Sequence, residues 1–326
     1  VLINRIHDIQ GSGAASPLEG SAVTIEGIVV GDFQNNAEED NGDLRGFYVQ
    51  EEDADADADP LTSEGVFVYD GYSPGTDVIV GDFVRVKGQV AEYNGITEIT
   101  SLTEVTVLSS DNDLPTPAAV TLPLSALTDM EAYEGMSIVM SQPLVISEFY
   151  NFDRYGEIVL TTDRQFQPTA IYDPDSPEAA ALAEQNELNR IRLEDGRTTS
   201  NPDPALHPNG LEFDLTNRFR GGDIVQDVTG VMSYGFGEYE IQPTAGADYA
   251  PENLRPAAPA DVGGDITAAS FNVLNYFTTL DTGEEICGPT GGQDCRGAND
   301  ATEFERQQAK IVAAMCVIDA DIFGLM

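Results

Sequence analysis

The chain has 326 residues, 41% of them hydrophobic, which is too long for one small domain and apolar enough to build cores. Acidic residues number 57 against 15 basic ones, a formal net charge of −42. A wholly disordered chain is excluded by the apolar content, and a membrane-spanning helix by the lack of any run of about 18 apolar residues.

Only Lys87 and Lys310 are lysines; the remaining bases are arginines. A domain this acidic repels itself, and concentrated salt removes most of that repulsion, because the Debye length falls to about 3 Å at about 1 M. Since the acids are spread along the whole chain, the composition points to a salt-rich setting rather than to an acidic function. It does not exclude nucleic acid as a partner, which needs only local basic groups and metal ions. The chain opens at Val1 with no basic segment followed by an apolar one, and reads as a mature product whose targeting segment is gone.

Residues 20–110 read as short strands divided by Gly, Asp and Asn. Val23–Val30 begins with alternation and ends in a continuous apolar run; 46–50, 65–69 and 82–90 follow. About five strands with internal glycines predict a small closed barrel of the OB type over 1–112. The acidic stretch 51–60 reads as a spacer loop. Acidic clusters at Glu38-Glu39-Asp40 and Asp53–Asp59 lack the ligand spacing of a calcium loop and read as solvated. Arg85 and Lys87 share one strand face near Phe83 and Tyr93, so Arg85, Lys87 and Tyr93 form a candidate nucleic-acid surface; the solvated outer face of a barrel is the preferred reading.

A weak internal repeat predicts a second OB-like unit over 113–250. Gly81-Asp82, Gly88, Asn94-Gly95 and Glu98-Ile99 recur in order as Gly222-Asp223, Gly230, Tyr234-Gly235 and Glu240-Ile241. Glu19-Gly20 and Glu134-Gly135 precede the two opening strands. The second unit carries an insertion, with a helix capped by Ser176 and opened by Pro177, then a polar loop over 198–210. A Pro/Ala linker covers 251–264.

From 265 onward the pattern becomes strand (266–275), amphipathic helix (302–317) and strand (319–326), the opening of an α/β domain. Cys287 and Cys295 lie eight apart in a polar loop and read as a disulfide of an oxidising compartment; a metal site, the competing reading, lacks further His or Cys ligands nearby. Cys316, inside an apolar run, reads as a buried free thiol. His7 and His207 have no acid/base partner close in sequence and read as structural groups.

Ser270-Phe271-Asn272-Val273-Leu274-Asn275 resembles the first strand of the endonuclease/exonuclease/phosphatase superfamily, and Asp321–Met326 resembles its second. Along most of its length the chain is similar to large secreted bacterial extracellular nucleases of the ExeM/NucH type. His7–Gly11, Ser16–Gly20, Thr62–Tyr69 and Val80–Asp82 carry this, as do Phe236–Pro243, Cys287–Pro289, Cys295–Ala298 and Glu303–Gln307. The resemblance implies a mainly β chain of two OB-like barrels followed by the first β-α-β elements of a DNase I-like α/β sandwich. It implies secretion, extracellular or periplasmic, and hydrolysis of DNA (or RNA) with a divalent metal, Mg²⁺ or Mn²⁺ with Ca²⁺ as an alternative. Asn272 would stand at the metal–phosphate site, with a metal-binding carboxylate just beyond Met326. The competing expectations are a non-catalytic module that binds single-stranded DNA or another polymer, and a phosphatase of the same superfamily.

Overall fold

The computed structural model describes residues 2–34, 44–72 and 75–326, so the Glu38–Asp40 cluster lies outside the described residues. The chain is mainly β and divides into two compact units at Asn253/Leu254.

In the first unit, α1 (Ile6–Gln10) precedes β1 (Ala22–Phe33), β2 (Gly46–Gln50), β3 (Gly65–Tyr69), β4 (Phe83–Tyr93) and β5 (Ile96–Ser109). These five strands close into a barrel, ring 1, in the order β1-β2-β3-β5-β4, with β3 and β5 parallel. Its core is mostly aliphatic, built on Ile25, Val49, Val66, Val86 and Ile99 with one aromatic, Phe47, and plugged by Ile6 and Ile9 of α1. The alternation in β4 reflects one face on that core and one in solvent. The run at the end of β1 has another cause: residues 28–31 are buried on both faces. There Val30, Phe33, Tyr48, Phe67 and Ile96 on the outside of ring 1 meet Val231 of the next sheet.

That next sheet contains β6 (Ala118–Ala119), β7 (Ser137–Met140), β8 (Leu144–Glu148), β9 (Ile158–Thr161), β10 (Ile191–Leu193), β11 (Ile224–Gln226), β12 (Val228–Gly235), β13 (Glu238–Pro243) and β14 (Asp248–Ala250). The short helix α2 (Phe152–Tyr155) and the helix α3 (Pro177–Leu188) lie in its connections; α3 is capped by Ser176 Oγ, which accepts from Ala179 N. A second closed barrel like the first is the expectation corrected here: the strands form a nine-stranded sheet, β14-β11-β8-β9-β10-β13-β12-β7-β6. The reason is local. Between the pairs Val225↔Leu144 and Val228↔Met140, three residues (141–143) intervene on one side and two (226–227) on the other, and Pro143 has no N–H to donate. A bulge therefore splits what would be one closing strand into β7 and β8.

Followed from β8 through β9, β10, β13 and β12 to β7, the sheet still returns to the chain three residues before its start. This ring 2 repeats the connectivity of ring 1, including its parallel pair: Phe67↔Glu98 and Val68↔Ile99 correspond to Arg192↔Glu240 and Leu193↔Ile241. The joints repeat too. Gly81 N donates to Val29 O, Asp82 N to Ile79 O, and Asp82 Oδ2 accepts from Ile79 N. In ring 2 Gly222 N donates to Ile146 O, Asp223 N to Arg220 O, and Asp223 Oδ2 accepts from Arg220 N. Gly81 and Gly222 have φ of 92° and 93°, where a side chain would be strained.

The second unit holds β15 (Ala268–Phe271), α4 (Ala301–Ile318) and β16 (Ile322–Leu325). The strands are parallel, in register from Ala268↔Ile322 to Phe271↔Leu325, with α4 as the crossover. Asp300 caps α4 by accepting from Glu303 N, while Glu303 accepts from Asn299 N. Cys287 and Cys295 form a disulfide, and Cys295 is the only buried residue of this unit. The expected burial of Cys316 is therefore corrected: it is exposed, because no second layer of this unit covers that side of α4.

Candidate functional site

Asn272 is the first residue past β15, at the carboxyl end of the parallel pair, where open α/β sheets bind ligands. The chain turns there through Leu274 and Asn275, at φ 36° and 50°, and Asn272 Oδ1 accepts from Leu274 N at 2.9 Å. Gln307 of α4 braces the turn by donating to Leu274 O at 3.0 Å. Beside it opens a cleft of about 350 Å³ whose polar wall is Asn275, Arg296, Glu303, Arg306, Gln307 and Lys310, three cations against one acid. Three of the 15 basic side chains thus meet in one small hollow of a chain carrying 57 acids. Arg306 lies 3.7 Å from Glu303, whereas Arg296 and Lys310 have no ion-pair partner among the described residues. The shape and charge suit an anion such as a phosphate. For a divalent metal the fit is incomplete: Asn272 supplies one hard oxygen, already used within its own turn, and no group of three His, Cys or acidic side chains converges on it among the described residues. Sequence reasoning singled out Asn272 but missed the cleft, whose cations are spread over 15 positions and converge only when α4 folds beside the disulfide loop.

Arg85 and Lys87 do share the outer face of β4, but each is matched across the sheet. Arg85 pairs with Glu26 at 2.5 Å and Lys87 with Glu104 at 2.5 Å. Little net positive charge remains there to attract a polyanion. Tyr93 stands at the tip of the β4–β5 hairpin, 62% exposed, next to a turn with both central residues at positive φ (Asn94 52°, Gly95 93°).

The acidic stretch 51–60 is more than a spacer. Asp55 pairs with Arg5 at 2.6 Å, Asp53 accepts from Thr116 N and Oγ1, and Asp57 and Asp59 hold tight turns with Leu61 and Thr62. At its two ends Glu51 and Glu64 flank the base of the β2–β3 hairpin, and both reach His7. His7 Nδ1 lies 2.7 Å from Glu51 Oε2 and 2.9 Å from Glu64 Oε2. Burial pushes the Glu51 carboxyl up to about 7, reinforced by the neighbouring Glu64 carboxyl. The partners of His7 were invisible in sequence because they stand more than 40 residues away. His207, by contrast, is a core group: buried, packed edge-on against Phe219 and Tyr249, its Nδ1 accepting from Asn209 N.

Residues 100–252, which include all of ring 2, match a family model described as a domain of unknown function, DUF8508. No curated protein matches the chain. Among solved structures, a murine DNA-binding protein bound with double-stranded DNA aligns over 70% of this chain and 97% of its own, at 10% identity. Its TM-score of 0.26 is too low to define a shared fold or a shared partner. No helix among the described residues is long and apolar enough to cross a membrane.

Proposed function

We propose that this chain is the leading part of a secreted, divalent-metal-dependent nuclease that hydrolyses phosphodiester bonds of extracellular DNA, with two OB-like modules preceding a DNase I-like domain. The observation that carries this reading is the cleft beside Asn272, where Arg296, Arg306 and Lys310 gather at the carboxyl end of two parallel strands. The strand order β1-β2-β3-β5-β4 with its parallel β3–β5 pair, repeated in ring 2, supports the OB-like assignment. The Cys287–Cys295 disulfide suits an oxidising, extracellular setting. In this reading the cations hold a phosphate of the substrate, and Asn272 contributes one polar ligand at the reacting centre. Among the described residues no group of carboxylates converges on Asn272, so in this reading the metal is held by groups outside this cleft.

Two measurements test the proposal. Protein expressed to the natural stop codon of its gene should nick plasmid DNA with Mg²⁺ or Mn²⁺ and stop with EDTA, and Asn272→Ala should lower kcat roughly 10²- to 10³-fold. A metal-independent activity, or full activity in Asn272→Ala, refutes it. Residues 1–326 should bind a labelled oligonucleotide in about 50 mM salt and release it as salt rises. The double variant Arg296→Ala/Lys310→Ala should abolish that binding, while Arg85→Ala/Lys87→Ala leaves it intact. The reverse pattern would favour a polymer-binding β module.

A further inference from the structure

A second cluster, in ring 1 and independent of the nuclease reading, has the chemistry of a cation site. His7, on the outer side of the short plug helix α1, brings Nδ1 to carboxylate oxygens of Glu51 and Glu64, and the three donor atoms all lie within 4.8 Å of one another. Glu51 is 2% exposed, and its Oε2 makes no hydrogen bond although Nδ1 is 2.7 Å away. The reason is stoichiometric. An imidazole carries at most one hydrogen at Nδ1, too few for both carboxylates, and the Nδ1 contact with hydrogen-bond geometry is the one to Glu64 Oε2 at 2.9 Å.

The nearby cation does not make up the deficit. Arg5 lies 3.5 Å from Glu51 Oε1, but its closer partner is Asp55 at 2.6 Å. Glu64 Oε1 is taken by Asp57 N at 2.8 Å, which orients the carboxylate and leaves Oε2 turned towards His7. Two carboxylates, one of them deeply buried, therefore converge on one imidazole nitrogen that can offer them a single hydrogen. Leaving a buried acceptor unsatisfied is costly, and bound positive charge is the usual remedy.

We propose that His7 Nδ1, Glu51 Oε2 and Glu64 Oε2 bind one divalent cation of the Zn²⁺ type. The ion takes the place of the Nδ1 proton, which is released to solvent as the neutral imidazole nitrogen becomes a ligand. One nitrogen and two carboxylate oxygens form a three-ligand set with a fourth position left for water, and the solvent-facing side of His7 gives that position access. An imidazole ligand selects Zn²⁺ over the harder Mg²⁺ and Ca²⁺. The ion ties α1 to both ends of the β2–β3 connection. Because α1 has five residues and inserts Ile6 and Ile9 into the ring 1 core, the tether keeps that plug seated.

The test uses the full 326-residue chain carrying Cys316→Ser, so that the exposed thiol takes no metal. Stripped protein in about 1 M NaCl, which weakens diffuse binding by other acids, is titrated calorimetrically with ZnCl₂. The expected result is one Zn²⁺ per chain, a higher Tm, and X-ray absorption showing one imidazole nitrogen in a light-atom shell at about 2.0–2.2 Å. His7→Gln and Glu64→Gln should each weaken binding at least about tenfold. The proposal is overturned by the absence of a stoichiometric site, by a shell without imidazole, or by unchanged affinity in folded His7→Gln. Should a variant fail to fold, the absorption spectrum of the parent chain decides.

Discussion

Glu134 sits where ring 1 meets ring 2, 1% exposed, and both ends of the residue are in use. Its backbone oxygen accepts from Ser63 Oγ and Gln10 Nε2, and its Oε1 accepts from Thr97 N at 2.9 Å. Burial pushes its carboxyl up to about 8, against the opposing effect of the Thr97 bond. Glu98 is raised to about 7 in the same way, by burial and then by Glu92. A carboxyl whose folded pKa exceeds its unfolded value of about 4.3 stabilises the fold fully below that value, and the contribution fades as pH rises through the folded pKa. The expected outcome is a Tm that falls from about pH 4.3 to about pH 8, with Glu134→Gln flattening the fall because the amide keeps the Thr97 acceptor without the charge. An unchanged pH slope in the variant would show that Glu134 is ionised without cost. None of this was legible in the sequence, where Glu134 was only a marker beside a glycine; its burial depends on residues that approach from both rings.

At the scale of elements, period two identified β4, which has one wet face, and correctly placed most strands of ring 1. It could not explain the run at the end of β1, because a strand covered on both faces loses its alternation. Ring 2 was harder. β7, β9 and β10 have three or four residues each, too few for a period to register, and the break at 141–143 hides the closing strand. What the repeat did convey was punctuation at Gly20 and Gly81, whose counterparts Gly135 and Gly222 match them in φ, whereas the partner it gave Gly95, Gly235, is corrected to Gly237, where the φ of 91° falls. Gly135 has a further constraint: at φ 78°, a Cβ there would lie 2.6 Å from the backbone of Gly65. Gly135→Ala should therefore destabilise the protein by at least about 2 kcal/mol in urea unfolding, through left-handed strain and overpacking together. A smaller loss would mean that the rings separate easily at this contact.

For the whole molecule, the charge of −42 is the dominant long-range term. Raising NaCl from about 0.1 M to about 1 M shortens the Debye length from about 10 Å to about 3 Å, so Tm should rise steeply over that range in differential scanning calorimetry. A salt-insensitive Tm would show that the acids are neutralised locally. Of the candidate sites, Asn272 was singled out through the resemblance of the contiguous residues 270–275 to a superfamily strand. The cationic cleft and the His7 cluster were not, since each joins residues from separate elements.

The paired Gly–Asp turns bear on ancestry. In rings 1 and 2 Asp82 and Asp223 close their turns through the same pair of bonds, backbone N to the carbonyl three residues back and Oδ2 to that residue's N. A Gly–Asp turn of this kind is a joint that leaves the walls it connects free to differ, so another ring of this connectivity would be recognised by that joint before any resemblance in its core.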